Sequence, residues 1–123
     1  MNAARCAVGR RRVIVTGGGR GIGAAIARSL AARAVPVCLN YASRADEAHA
    51  LAEELTAAGA RAIAVQADMA DPAAIERLFQ IAEQELGPLG GLVNNGAYVG
   101  QAGRRVASVD VSTLRRTFDV NVI

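Results

Sequence analysis

Arg12-Val13-Ile14-Val15-Thr16-Gly17-Gly18-Gly19-Arg20-Gly21-Ile22-Gly23 is the stretch that decides the fold of this 123-residue chain. Three β-branched residues in a row suit a short buried strand. The glycines that follow suit a tight turn, and Ile22 opens a helical pattern. A strand, a glycine turn and a helix start aim backbone N–H groups and the positive end of a helix dipole at one point. That geometry suits a diphosphate and points to a nucleotide cofactor.

The same alternation continues outward. Ile22, Ile26 and Leu30 recur every four residues and predict one helix face, backed by alanines. A second strand is expected from Pro36 to Tyr41. Ala48, Leu51, Ala52, Leu55 and Ala58 then predict a helix closed by Gly59. Ala62 to Ala67 reads as a third strand. Asp71-Pro72 is a helix start, a side-chain cap followed by proline in the first turn. Ile75, Leu78, Phe79, Ala82 and Leu86 are its expected buried stripe, and Gly87-Pro88 ends it. Leu92 to Asn94 reads as a fourth strand, a loop runs from Gly96 to about Ser108, and a last helix starts near Asp110. Its apolar side holds Leu114, Phe118 and Val122. The order βαβαβαβα predicts an α/β fold, a doubly wound parallel sheet with right-handed crossovers. Residues 1–11 are expected to be a basic extension and residues 12–123 the folded unit.

Just over half of the residues are hydrophobic (52%), enough for a buried core in a helix-rich chain. All 14 basic residues are arginine, so chemistry that requires a lysine is not supplied by these residues. The net charge of +3 comes largely from Arg10-Arg11-Arg12, Arg104-Arg105 and Arg115-Arg116. These groups form no long stripe and have few aromatics among them, which argues against a nucleic-acid surface. Cys6 and Cys38 lack metal-ligand spacing, and Cys38 sits within an apolar strand pattern. Two thiols without a pairing pattern suit a reducing compartment, so a cytoplasmic location is expected. The basic N-terminus lacks the apolar core of a secretory signal, and no stretch reaches transmembrane length. No membrane partner is expected.

Gly19, Gly21 and Ala24 fit the general G-x-G-x-x-[GA] dinucleotide pattern. The spacing Thr16-Gly17-x-x-x-Gly21-x-Gly23 is more distinctive. It resembles the cofactor loop of the classical short-chain dehydrogenase/reductase family. Four further stretches follow in that family's order: Asn40-Tyr41-Ala42-Ser43, Ala67-Asp68, Val93-Asn94-Asn95-Gly96-Ala97 and Asp119-Val120-Asn121-Val122. The resemblance covers residues 10 to 123 and implies the N-terminal half of a Rossmann-like domain.

What the resemblance implies is carried residue by residue. Gly17, Arg20, Gly21, Ile22 and Gly23 would line the diphosphate and adenosine ribose. Tyr41 stands where the family's NAD-selecting aspartate would be, and Ser43, Arg44 and Arg20 suit a 2′-phosphate dianion. NADP is therefore the preferred cofactor, with NAD as the alternative. Ser43 with Asp46 also suits a helix cap, and Arg44 a solvated first turn. Asp68 would accept from the adenine amino group beside the Met69 backbone; a strand-end aspartate also suits a turn cap. Asn95, Gly96 and Ala97 match the family's cofactor-side loop, but the Gly-Ala order is reversed. An alanine at positive φ there would cost roughly 1 kcal/mol. Asn121 matches one member of the catalytic tetrad, the asparagine that holds a water leading to the lysine. A core asparagine with its hydrogen bonds satisfied is the other reading. His49, beside Asp46 and Glu53, reads as a solvated helix residue. Tyr98 has no lysine four residues on and does not supply Tyr-x-x-x-Lys.

The parent function implied is hydride transfer between a nicotinamide dinucleotide and a carbonyl or secondary alcohol, by a homo-oligomeric enzyme. The 123 residues are expected to be the first half of that enzyme and inactive by themselves. The alternative is a non-catalytic nucleotide-binding half-domain or a relic.

Overall fold

Four short strands, β1 (Val13–Val15), β2 (Val37–Tyr41), β3 (Ala62–Gln66) and β4 (Gly91–Val93), pair in the order β3-β2-β1-β4. The computed structural model describes residues 11–97 and 106–122. Cys6, Arg10, Tyr98, Arg104, Arg105 and most of the loop after Ala97 lie outside the described residues. All pairings are parallel, with Val13 against Val37 and Gly91, and Val37 against Ala62. The helices α1 (Gly21–Ala32), α2 (Ala45–Ala57), α3 (Pro72–Leu86) and α4 (Val111–Asn121) alternate with the strands, and a 3₁₀ turn, Val106–Ser108, precedes α4. This is the predicted doubly wound, Rossmann-like sheet.

Strand period 2 divides the core between two faces. Val37 and Leu39 pack with Ala24 and Ala27 of α1 and Leu51 and Leu55 of α2. Ile14 and Cys38 face the other side and pack with Ala74, Leu78, Ala82 and Leu86 of α3. Burial among these groups raises the Cys38 thiol to about 12, so it is an inert filler at neutral pH.

The helix boundaries follow the expected punctuation. Asp71 caps α3, its carboxylate accepting from the Ala73 N–H at 3.1 Å. Gly59 closes the turn after α2 with φ 97°. The buried faces differ from expectation in two helices. In α1 the buried residues are Gly23, Ala24 and Ala27, while Ile22 is 74% exposed and Ile26 and Leu30 are half-buried. Small residues let this helix lie close to the glycine turn, which an Ile22–Ile26 stripe would prevent. In α3, Ala74 replaces Ile75 and Phe79 in the fully buried set. Ala58 lies just beyond α2 and is exposed.

Among the described residues β4 is an edge strand. Leu92 is exposed, and α4 has no fully buried residue; Leu114, Phe118 and Val122 are exposed. The last helix is tied to the end of β3 by the bond from Arg116 to Asp68. Its cap is Asp110, which accepts from the Thr113 N–H at 2.7 Å.

Candidate functional site: a cleft at the carboxyl ends of the strands

Thr16 follows β1 and is buried, and its hydroxyl organises the site. Its Oγ1 donates to the Val93 carbonyl at 3.3 Å and accepts from the N–H groups of Asn95 (3.0 Å) and Gly96 (2.8 Å). The Asn95 amide returns two bonds, donating to the carbonyls of Thr16 (3.2 Å) and Gly17 (3.1 Å). The glycine turn and the end of β4 are thereby locked together.

Two glycines make that closeness possible. Gly17 has φ 62°, and a Cβ on it would lie 2.9 Å from Gly96 Cα. A Cβ on Gly23 would overlap the Gly17 carbonyl oxygen and sit 2.6 Å from the Asn95 amide nitrogen. Arg20 takes the N-cap position of α1 with an extended backbone and no side-chain capping bond. The first turn of α1 therefore presents uncapped N–H groups beside Gly21, where no heavy atom of a described residue outside its own turn of helix lies within 4 Å of the Cβ position. The reversed Gly96-Ala97 order brings no strain. Among the described non-glycine residues positive φ occurs only at Ala34, so Ala97 avoids the expected cost. Gly96 provides the close approach, toward Thr16 and Gly17.

A cleft of about 500 Å³ lies across these strand ends. Gly17 and Arg20 enter it from the glycine turn, and Ser43 and Arg44 from the end of β2. Asp68 and Met69 come from the end of β3, and Gly96 and Ala97 from the end of β4. Gly21, Ile22, Gly23 and Asn95 are not among its lining residues; Gly23 and Asn95 build its turn. Asn121 lines a second cleft of about 420 Å³ between α3, β4 and α4. Met69, Gly96 and Val120 border both, so the two clefts are contiguous.

At the β2 end, Arg44 is the N-cap residue of α2, with no side-chain capping bond. Ser43 is thus not the cap that its spacing to Asp46 allowed. The exposed Arg44 guanidinium lies 3.4 Å from the Glu47 carboxylate, a solvent-screened pair of small energy. His49 is exposed but not merely solvated. Its Nε2 lies 3.0 Å from the Tyr41 hydroxyl, and the two rings meet edge-on at 5.4 Å. Asn40 is buried and ties β2 to the end of β3 by donating to the Ala67 carbonyl at 3.1 Å.

At the β3 end, Asp68 holds two donors. One carboxylate oxygen accepts from the Ala70 N–H at 2.9 Å, the turn cap of the sequence reading. The other accepts from Arg116 of α4 at 2.7 Å. Arg116 and the Ala70 N–H together hold the Asp68 carboxyl below its ordinary value of 3.8. A depressed carboxylate stabilises the fold above its unfolded pKa and loses that contribution as pH falls through the folded one. About a third of each side chain is exposed, so the contribution is about 0–1 kcal/mol. The melting difference between the wild-type chain and Asp68→Asn should stay constant from neutrality to about pH 4. It should close below that; a difference that persists unchanged in stronger acid would rule the bridge out as its source.

Arg116 and Thr16 are the site residues that sequence reasoning left without a role. Thr16 had a signal, a hydroxyl at the end of an apolar strand that needs a partner. Arg116 had none, because its partner lies on another element. Among the described residues there is no cluster of metal-ligating side chains, and no helix is long and apolar enough to cross a membrane.

Comparison with known proteins places this geometry. The family profile described as short chain dehydrogenase matches residues 11–123. An uncharacterized oxidoreductase of Methylorubrum extorquens is 46% identical over 111 residues, which cover 89% of this chain and 44% of the relative. A short chain dehydrogenase from Burkholderia cenocepacia, solved in complex with NADP, superposes with a TM-score of 0.82 at 41% identity. A blue fluorescent protein from a metagenomic library, solved with NADPH, gives 0.79 at 43% identity. Each of these two alignments covers 91% of this chain and 45% of the solved one. The chain thus spans less than half the length of these relatives.

Proposed function

The chain belongs to the short-chain dehydrogenase/reductase family, and from that premise we propose that its cleft binds NADP in preference to NAD, for hydride exchange with a carbonyl or secondary alcohol. The observation that carries the reading is one cleft lined by Gly17 and Arg20, which lead into the uncapped start of α1, and by Ser43 and Arg44 at the β2 end. The residues present fit the dinucleotide. The N–H groups of the α1 first turn and the space beside Gly21 suit the diphosphate. Arg20, Ser43 and Arg44 offer charge and a hydroxyl to a 2′-phosphate, and no carboxylate at Tyr41 repels it. Glu47 borders the cleft but faces Arg44, which offsets its charge. Asp68 is proposed to accept from the adenine amino group, and Gly96 and Ala97 to border the cofactor.

When bound, the nicotinamide supplies or accepts the hydride. Asn121, at the wall of the contiguous cleft, is proposed to hold a water there. A tyrosine and a lysine must complete proton transfer in this family, and the 123 residues contain no lysine. They are proposed to bind the cofactor without turning over substrate by themselves. The β4 edge and the exposed apolar residues of α4 support self-association, and the Cys38 thiol suits a cytoplasmic setting.

Titration of the purified chain with NADPH and NADH, followed by cofactor fluorescence, tests the reading. NADPH should bind at least about tenfold more tightly, as expected for one charge-assisted contact to phosphate. Equal affinities would remove the 2′-phosphate site.

A further inference from the structure

Asp68 and Arg116 come from different layers of the fold, one from the end of β3 and the other from α4, and both line the main cleft. Their bond is the shortest of the ion pairs among the described residues, at 2.7 Å. It is not a surface i,i+4 pair that helix geometry produces by default. Forty-eight residues separate the partners, and the bond ties α4 to the end of β3.

The consequence lies in the acceptor geometry. A carboxylate has about four lone-pair sites. Here one oxygen is engaged by the Ala70 N–H and the other by Arg116, so rotation of the group about its Cβ–Cγ bond is stopped at both oxygens. Each oxygen keeps one lone pair. A carboxylate held in this way accepts and does not donate. It favours an amino group in the cleft and repels a carbonyl oxygen at the same place.

We propose that Arg116 is a positioning residue for base recognition: by holding the Asp68 carboxylate in one orientation, it makes the cleft select a purine with an exocyclic amino group over its keto counterpart. The inference rests on the dinucleotide reading above and adds to it a residue on α4. Arg116 acts through Asp68. A merely structural bridge would change affinity for both bases alike, so the discrimination between them is the informative quantity.

The test is calorimetric titration of the 123-residue chain with NADPH and with its deamino analogue, in which hypoxanthine replaces adenine. The wild-type chain should prefer NADPH by roughly ten- to a hundredfold, the range of a hydrogen bond to a charged group. Arg116→Ala should reduce that ratio about fivefold, with most of the loss falling on NADPH. Arg116→Lys, which keeps a donor for Asp68, should restore most of it. Circular dichroism and a thermal melt of each variant establish that it is folded. An unchanged ratio in folded Arg116→Ala would overturn the inference and leave the dinucleotide reading standing. A ratio equally low in Arg116→Lys would also overturn it, because donation to Asp68 would then be irrelevant. No binding of either nucleotide by the wild-type chain would overturn the dinucleotide reading and this inference with it.

Discussion

Gly23→Ala is expected to abolish measurable NADPH binding and to destabilise the chain by about 3 kcal/mol, the upper part of the range for overpacking a tight contact. The added Cβ would overlap the Gly17 carbonyl oxygen and crowd the Asn95 amide. Neither obstacle is the flexible end of a long side chain. Relief requires the glycine turn to open, which breaks the Asn95 bonds to Thr16 and Gly17. Those bonds hold the turn against β4, so the wall of the cleft and the α1 first turn move with it. A small domain has only about 5–15 kcal/mol of stability, so the loss is a large share. Gly59→Ala is the control. Gly59 has positive φ (97°), which Gly23 does not, and it closes α2 with no heavy atom of another described element within 4 Å of its Cβ position. It should cost about 1–2 kcal/mol and leave affinity unchanged. A thermal melt and an NADPH titration of both variants decide the matter. Wild-type affinity in Gly23→Ala would show that the turn is not the binding element.

Arg44→Ala is expected to weaken NADPH binding by roughly ten- to a hundredfold and NADH binding by no more than about twofold. The contrast follows from position. Arg44 is at the exposed start of α2, facing the end of the cleft where β2 stops, and its one close carboxylate is Glu47 at 3.4 Å. A solvent-screened i,i+3 pair is weak and is readily exchanged for a phosphate dianion, which carries more charge and more acceptor oxygens. A ligand without the 2′-phosphate has nothing to exchange for it. Arg20 should share the effect, since it enters the same cleft from the glycine turn. Parallel losses for the two cofactors would identify Arg44 as a helix-surface residue only.

Most of the fold was legible in the sequence because its signals are local. Val13–Val15, the glycine turn, Asp71-Pro72 and Gly59 each specify a backbone conformation by their own chemistry. The strand order β3-β2-β1-β4 was not legible, because right-handed crossovers fix the face each helix covers and not which strands lie side by side. The faces of α1 were misjudged because hydrophobicity was weighted over size: the sheet takes Gly23, Ala24 and Ala27, and Ile22 is left exposed. The cleft was legible in outline, since its contributors sit at strand ends. Its internal wiring was not. Thr16 with Asn95 (side chain to backbone), and Tyr41 with His49 and Asp68 with Arg116 (side chain to side chain), are pairings between groups brought together only by tertiary structure. Asn95 illustrates the difference. Its motif suggests a cofactor contact, but its amide nitrogen bonds the turn that forms the cleft.

The central claim is that the strand-end cleft of this chain holds the dinucleotide, and amide chemical-shift mapping of the 15N-labelled chain during NADPH titration tests it most directly. The account predicts shifts concentrated at residues 17–23, at Ser43 and Arg44, at Asp68 and Met69, and at Gly96 and Ala97, with the outer surface of α2 around Glu53 and Thr56 unchanged. Shifts confined to other surfaces, or no shifts at saturating NADPH in a folded sample, would contradict it.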